Sequence, residues 1–481
     1  MVCNDRTKRR ILIYNWVPFD DPVRGGGVTV YTKNLIDEFC KKNSEYELFF
    51  ICSGVYYDSD DPSVRVEELK ANYNVNCKMY AIINSPVFSP AYLSFYHIER
   101  TLNSPILKDV FADFLKSEGP FDVVHFQNLE GLSVNVLECK RDFEETRFIY
   151  SVHNYYPFCP QVNLWKGSNE NCVNECTGEE CIKCMSCHVP DRKLIEKMAM
   201  TYKLRCNYSE AAEHAFALKG KLLDEEYSAE EKRELTIEEY QQLKSALSLY
   251  RKTFVNYIDK YIDKVLAVSK RVKEICCRYG VPEEKVQISY IGTKAADNAI
   301  NYCKNTSAEK IKLVYMGYRR KDKGFFFLID VLNELNKELA HKIDLVLAAR
   351  IDNSTKQDWY LDETKFNSVV CLNGYKREDI PAILGDANLG IVPPLWEDNL
   401  PQVAIEMASF GVPVFCSDRG GANELTENKK FVFEAGNIDD CVEKLEYLLE
   451  NTDEIKDYYF AYKGLTTMEA HVQELNSLYK G

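Results

Sequence analysis

The sequence predicts an α/β protein of two doubly wound parallel-sheet domains, with an insertion in its N-terminal half. Three observations predict this. Short apolar runs alternate with amphipathic ones in two series, the rhythm breaks between about Pro160 and Lys252, and 481 residues are too many for one ordinary core. Strands of a parallel sheet are covered on both faces, so they read as continuous apolar runs rather than as alternation.

In the first series these runs are "RRILIYNWVP", "YELFFICSG", "CKMYAIINS", "FDVVHFQN" and "TRFIYSVHN". Helical stretches such as "VYTKNLIDEFCKK" and "ILKDVFADFLKSEG" separate them, which is the rhythm of βα units. The insertion follows: a cysteine cluster, then a Glu/Lys/Leu-rich stretch from Leu223 to Lys252 that reads as one or two exposed helices. A second series opens at "KVLAVSK" and runs through "QISYIG", "IKLVYMGY", "IDLVLAAR", "VVCLNGY", "LGIVPPL", "VPVFCSD" and "KFVFEAG". The expected division is an N-terminal domain over 1–255 that carries the insertion 159–252, a C-terminal domain over 256–462, and a helix within 463–481 returning to the first domain.

The net charge of -14 excludes a nucleic-acid groove, because phosphate affinity comes from Lys and Arg. Met1 to Arg10 is polar and basic and the apolar run from Ile11 is short, so no signal peptide is expected. No apolar stretch approaches the roughly 18 residues of a membrane span. The expected location is cytoplasmic, with room for peripheral contact on the inner face of the cytoplasmic membrane.

Two stretches carry the chemistry. In "LWEDNLPQVAIEMASFGVPVFCSDRGGANEL", Pro401 opens a helix that runs to about Phe410 and stops at Gly411. The amides around Asn399, Leu400 and Val403 sit at its positive end and can hold a diphosphate. Asp398 then lies beside whatever the diphosphate carries, and Glu406, over one turn deeper, can accept two hydrogen bonds from a ribose diol. In "YMGYRRKDKGFFFLIDVL", a strand ends at Gly317, a helix opens after Gly324, and Arg319, Arg320, Lys321 and Lys323 crowd the loop between. Such cations suit phosphate. Each stretch alone also fits an ordinary βαβ unit with solvated charges. In the first half, Gly25, Gly26 and Gly27 follow the first strand, where backbone amides can approach a phosphate or an acceptor. His153 ends the strand "FIYSVH" at the cleft edge. The "DSD" at Asp58 to Asp60 reads as a solvated turn.

Together these spacings resemble the retaining GT-B glycosyltransferases of family 4, which pair a Gly-Arg-x4-Lys-Gly loop with Glu-x7-Glu and a later Gly-Gly-x-x-Glu. Gly317, Lys323 and Gly324 match the loop, Asp398 and Glu406 the two acids, and Gly420, Gly421 and Glu424 the closing turn. There are two departures. Tyr318 stands where the family has Arg, so Arg319 or Arg320 is expected to supply that cation. The first acid is one carbon shorter, with Glu397 beside it as a stand-in. The resemblance also implies base contacts near Gly374 and Tyr375 and a role for His153 at the donor sugar or acceptor.

What it implies is transfer of a sugar, with retained configuration, from a nucleotide-diphosphate donor to a glycan or lipid-linked acceptor in bacterial surface polysaccharide, with no catalytic metal. Asp398 and His153 are the implied catalytic residues; Gly26, Gly27, Arg319, Arg320, Lys323, Tyr375, Asn399, Leu400 and Glu406 are the implied donor contacts. A sugar-nucleotide epimerase or hydrolase would use the same cleft, and so would a non-catalytic sugar-nucleotide-binding scaffold.

Of the 18 cysteines, Cys52, Cys371 and Cys416 lie in apolar runs and read as buried free thiols. Cys159, Cys172, Cys176, Cys181, Cys184 and Cys187 crowd together, with His188 beside them. Without an export signal such a cluster points to metal rather than disulfides. A structural zinc would staple a segment too polar to fold on its own core; an iron–sulfur cluster and free thiols are the alternatives. Some bacterial polysaccharide glycosyltransferases of family 4 carry a similar run directly after the cleft histidine, which places the insertion beside the acceptor site.

Overall fold

The computed structural model describes residues 8–480 apart from 22–23, 43, 168, 174–177, 185–190, 208, 210, 216, 220–234, 305–309 and 352–357. The first half builds β1 (Arg9–Tyr14), β2 (Tyr46–Ser53), β3 (Arg65–Leu69), β4 (Cys77–Ile83), β5 (Val123–Phe126) and β6 (Arg147–Val152). Within the insertion, β7 (Trp165–Lys166) and β8 (Glu170–Asn171) form a small hairpin. Beyond it come β9 (Lys264–Ala267) and β10 (Val286–Ile288). The first sheet has the order β10-β9-β6-β5-β1-β2-β4-β3. All its neighbours are parallel except β3, a charged edge strand antiparallel to β4.

The second sheet is parallel throughout. It contains β11 (Ile311–Tyr318), β12 (Ile343–Arg350), β13 (Ser368–Leu372), β14 (Leu389–Val392), β15 (Val414–Ser417) and β16 (Val432–Phe433), in the order β13-β12-β11-β14-β15-β16. Each sheet has helices on both faces and its own buried core. These are two Rossmann-like units.

Three expectations need correction. The runs "KVLAVSK" and "QISYIG" do not open the second unit: β9 pairs with β6, Val152 against Ala267, and β10 follows β9. The first sheet therefore continues past 255. The physical reason is the crossover: helix Ile237–Tyr261 carries the chain back parallel and adjacent, as a βαβ unit does. That helix is also not an exposed appendage. Leu243, Leu247, Tyr250, Phe254 and Ile258 are buried in the first core, and a capping box of Thr236 and Glu239 starts it. Cys371 lies on edge strand β13 and is exposed, whereas Cys52 and Cys416 are buried.

Helix Met468–Lys480 packs on the first unit. Met468, Val472, Leu475 and Tyr479 join its core, and Tyr31 Oη and His471 Nε2 are 2.7 Å apart. Gly292 allows this approach, since a Cβ there would stand 2.7 Å from that of His471.

Candidate active site

A cavity of about 360 Å³ lies where the carboxyl ends of both sheets meet, the place where open parallel sheets bind ligands. Gly27, Tyr31 and His153 line it from the first unit; Lys323, Tyr375 and the loop Trp396–Val403 line it from the second.

Two helix starts converge here. Helix Gly26–Lys41 opens after Gly25, whose φ of 82° is left-handed and whose Cβ would stand 1.9 Å from Thr29 Oγ1. Helix Gln402–Ser409 opens after Pro401 and ends before Gly411 at φ 72°. Neither helix start is capped by a side chain, and first-turn residues of both, Gly27 and Val28, Gln402 and Val403, line the cavity, which puts it beside two positive helix ends. The Gln402 side-chain Nε2 donates to the Gly27 carbonyl at 3.0 Å and ties the two starts together. Sequence reasoning missed Gln402, because its partner lies in the other unit.

Lys323 and Asp398 meet at the cavity, with Nζ 2.7 Å from Oδ2 and 4.8 Å from the centre of the Trp396 ring. Glycines make this possible. A Cβ on Gly324 would stand 1.7 Å from the Pro393 carbonyl, so only glycine lets the loop after β11 close on the end of β14. Likewise, Cβ atoms on Gly420 and Gly421 would stand 1.9 Å from the Asp398 carbonyl oxygen and 2.4 Å from that of Asn399. The Gly421 amide donates to the Asp398 carbonyl at 2.9 Å and fixes the loop backbone. Two buried groups of this loop, Trp396 Nε1–H and Asn399 Oδ1, have no partner among the described residues. They leave one donor and one acceptor for a ligand, and the indole is a second residue that spacing did not flag. Leu400 and Asn399 line the cavity as expected from the helix start.

Other candidates lie elsewhere. Arg319 Nε donates to the Ala349 carbonyl at 3.1 Å, and its guanidinium lies 5.4 Å over Trp359. Arg320 pairs with Asp322 at 2.8 Å. Neither lines the cavity, and Lys323 is the one cation among the described lining residues. Glu397 is no stand-in for Asp398. It is buried against Arg271, with oxygens 2.8 and 2.5 Å from the guanidinium, and Arg419 at 3.2 Å. Burial raises its carboxyl, but Arg271, then Arg419 and the Gly420 amide, outweigh this and hold it below the usual value. Glu424 accepts from the amides of Lys270 and Arg271 at 2.9 and 3.0 Å and from Tyr290 Oη at 2.7 Å. It caps a first-unit helix rather than touching the cavity.

Gly26 opens its helix outside the cavity lining, and Glu406 sits a turn beyond it. Burial pushes the Glu406 carboxyl up to about 7, against the pull of Arg377. His153 directly follows β6; its Nε2 shares a 2.9 Å hydrogen bond with Gln127 Oε1, and its ring centre is 4.8 Å from that of Tyr31. Burial, then His471, lowers it to about 3, so it is neutral at physiological pH.

Cys159, Cys172, Cys181 and Cys184 line a separate small cavity. Cys184 Sγ accepts from the Gly167 amide at 3.1 Å and from the Gln161 side chain. Cys176 and Cys187, with His188, lie outside the described residues. Among the described residues, no group of three His, Cys, Asp or Glu is arranged to hold a metal ion.

Residues 303–463 match the family model for glycosyl transferases group 1. No curated protein sequence matches the chain. Among solved structures, sucrose-phosphate synthase from Thermosynechococcus elongatus aligns over 98% of both chains, with 15% identity and a TM-score of 0.57. Anabaena HepE in complex with UDP and glucose aligns over 98% of this chain and 99% of its own, with 12% identity and a TM-score of 0.52. The lipopolysaccharide outer core galactosyltransferase WaaB aligns over 98% of both, with 13% identity and a TM-score of 0.51. The fold is that of the GT-B glycosyltransferases.

Proposed function

We propose that this chain is a retaining glycosyltransferase of the family 4 type, moving a sugar from a nucleotide-diphosphate donor to a glycan or lipid-linked acceptor of bacterial surface polysaccharide. The observation that carries the reading is the meeting of Lys323, Asp398 and two uncapped helix starts on one cavity between the units.

In this reading the diphosphate takes the first-turn amides of helix Gln402–Ser409 and draws Lys323 from Asp398. Breaking the anomeric C–O bond builds charge on the leaving phosphate, which Lys323 and those preorganised amides stabilise. That positive charge is why the reading assigns no catalytic metal. Asp398 positions the sugar, and Asn399 Oδ1 accepts from one of its hydroxyls. Glu406 and Tyr375 take the nucleoside end. Neutral His153 offers a hydrogen bond from the acceptor side, where it moves no charge. The acceptor enters from the first unit. Membrane contact, if the acceptor is lipid-linked, is peripheral: among the described residues no helix is long and apolar enough to cross a membrane.

The test is nucleotide release from UDP-, GDP- and dTDP-sugars, with and without lipid-linked acceptors, and the anomeric configuration of the product. Acceptor-dependent release with retention is expected. Release that ignores the acceptor favours a hydrolase or epimerase; binding without turnover on any acceptor favours a scaffold.

A further inference from the structure

We propose that the β7–β8 hairpin of the cysteine-rich insertion is a positioning element for the donor side of the cleft, acting through Asn171 and Asn169. What the positioned loops bind rests on the reading above; the contacts themselves do not.

The hairpin belongs to the first unit by sequence, yet two of its asparagines bond to the second. Asn171 Nδ2 donates to the Leu395 carbonyl at 2.7 Å, a contact between residues 224 apart. Lys321 Nζ donates to Asn169 Oδ1. These partners belong to the two loops that bring Asp398 and Lys323 together. Leu395 is the node between them, because its amide donates to the Asp322 carbonyl at 2.9 Å while its carbonyl takes Asn171. Holding both backbone groups of Leu395 fixes where Trp396 begins and hence where Asp398 points.

A positioning element must itself be held, and the base of the hairpin is. The Cys172 amide donates to the Leu164 carbonyl at 2.6 Å, and Tyr279 Oη donates to the Cys172 carbonyl at 3.1 Å. Tyr279 is stacked 5.2 Å from Phe158, with the Arg251 guanidinium 4.0 Å over its ring. Lys166 pairs with Glu180 at 2.9 Å, and the Gly167 amide donates to Cys184 Sγ at 3.1 Å. The insertion, expected beside the acceptor, therefore also touches the donor loops.

Asn171→Asp is the sharp probe. It keeps the size of the side chain but replaces the N–H donor with a carboxylate that repels the Leu395 carbonyl; Asn171→Ala removes both. Hydrogen–deuterium exchange of peptides covering 395–400 and 319–324, in the full chain without ligand, is expected to quicken about fivefold in both variants, the effect of one hydrogen bond of ordinary net strength. Exchange in β1 and β12 stays unchanged. For whichever sugar nucleotide the wild type accepts, KM rises about fivefold while kcat stays within twofold. Lys321→Ala, an exposed change that leaves the hairpin intact, quickens exchange in 319–324 even if the Asn171 variants fold poorly. Unchanged exchange in both loops, or an Asp variant that behaves as wild type, overturns the proposal. Faster exchange in a protein that accepts no sugar nucleotide upholds the positioning role and removes the donor reading instead.

Discussion

Lys323 and Asp398, 75 residues apart, pair at 2.7 Å and join the loop after β11 to the loop after β14. Their side chains are 30% and 13% exposed. Lys323 is open enough for a diphosphate to reach, while the largely shielded Asp398 relies on it for counter-charge. The pair preorganises both loops without locking the cavity.

Lys323→Ala is therefore expected to weaken donor binding about 10- to 100-fold, the loss of a charge-assisted contact. Stability should fall too, by about 1–3 kcal/mol, since the largely shielded Asp398 carboxylate loses its partner. Titration calorimetry with the accepted sugar nucleotide reads the first effect and a melting curve the second. Unchanged affinity would mean that the diphosphate lies elsewhere.

The pH dependence should come from Glu406. Its carboxyl titrates at about 7 in the folded chain because burial disfavours its charge. The folded state thus keeps a proton that the unfolded chain releases at the usual carboxylate value, so stability without ligand falls as pH rises between the two. A ribose diol needs the ionised form as acceptor, so donor KM should improve as pH rises through about 7. Glu406→Gln should abolish that limb, weaken donor binding and raise Tm by a few degrees above pH 7, roughly what about 1 kcal/mol gives. His153, neutral above about 3, contributes no limb in this range. A limb that survives Glu406→Gln assigns the titration to another group.

Arg271 should matter for stability rather than chemistry. It neutralises buried Glu397 and so anchors the loop after β14 to a first-unit helix. Arg271→Ala leaves that carboxylate with Arg419 and one amide, a loss of about 2–4 kcal/mol. The Glu397 carboxyl is held below its ordinary value; its contribution is present at neutral pH and lost as pH falls through the lowered value. Denaturant titration at neutral and acidic pH should show the wild type and Arg271→Ala converging as acid is added. A constant gap between them would rule out this ion pair as the cause.

The sequence announced the parallel strands because burial on both faces leaves continuous apolar runs, but such runs do not say which sheet a strand joins. β9 and β10 were misplaced for that reason. Lys323, Asp398, Gly420 and Gly421 were singled out because their spacings resemble those of family 4, and the structure brings their loops together. Arg319 and Arg320 were not, since nearer partners (the Ala349 carbonyl and Asp322) outbid the cleft. Glu397 looked interchangeable with its neighbour; Arg271, 126 residues away, makes the difference. Partners that distant leave no periodicity to read, and Asn171 on Leu395 is the same case.

The cysteine cluster gives the last prediction. Four cysteines already line one cavity. Cys184 receives two N–H donors, but burial outweighs them and holds its thiol above the usual value. A structural zinc would displace the thiol protons as it binds and would staple a segment with little core of its own. Purified chain is therefore expected to carry about one zinc per molecule by elemental analysis. Cys184→Ser and Cys159→Ser should each lose it and loosen the hairpin, seen as faster hydrogen exchange over 165–172. A visible absorption band with iron in place of zinc would assign an iron–sulfur cluster. Metal-free protein whose insertion cysteines react with a thiol reagent under native conditions would leave the insertion held by its hydrogen bonds, the Lys166–Glu180 pair, Tyr279 and Arg251.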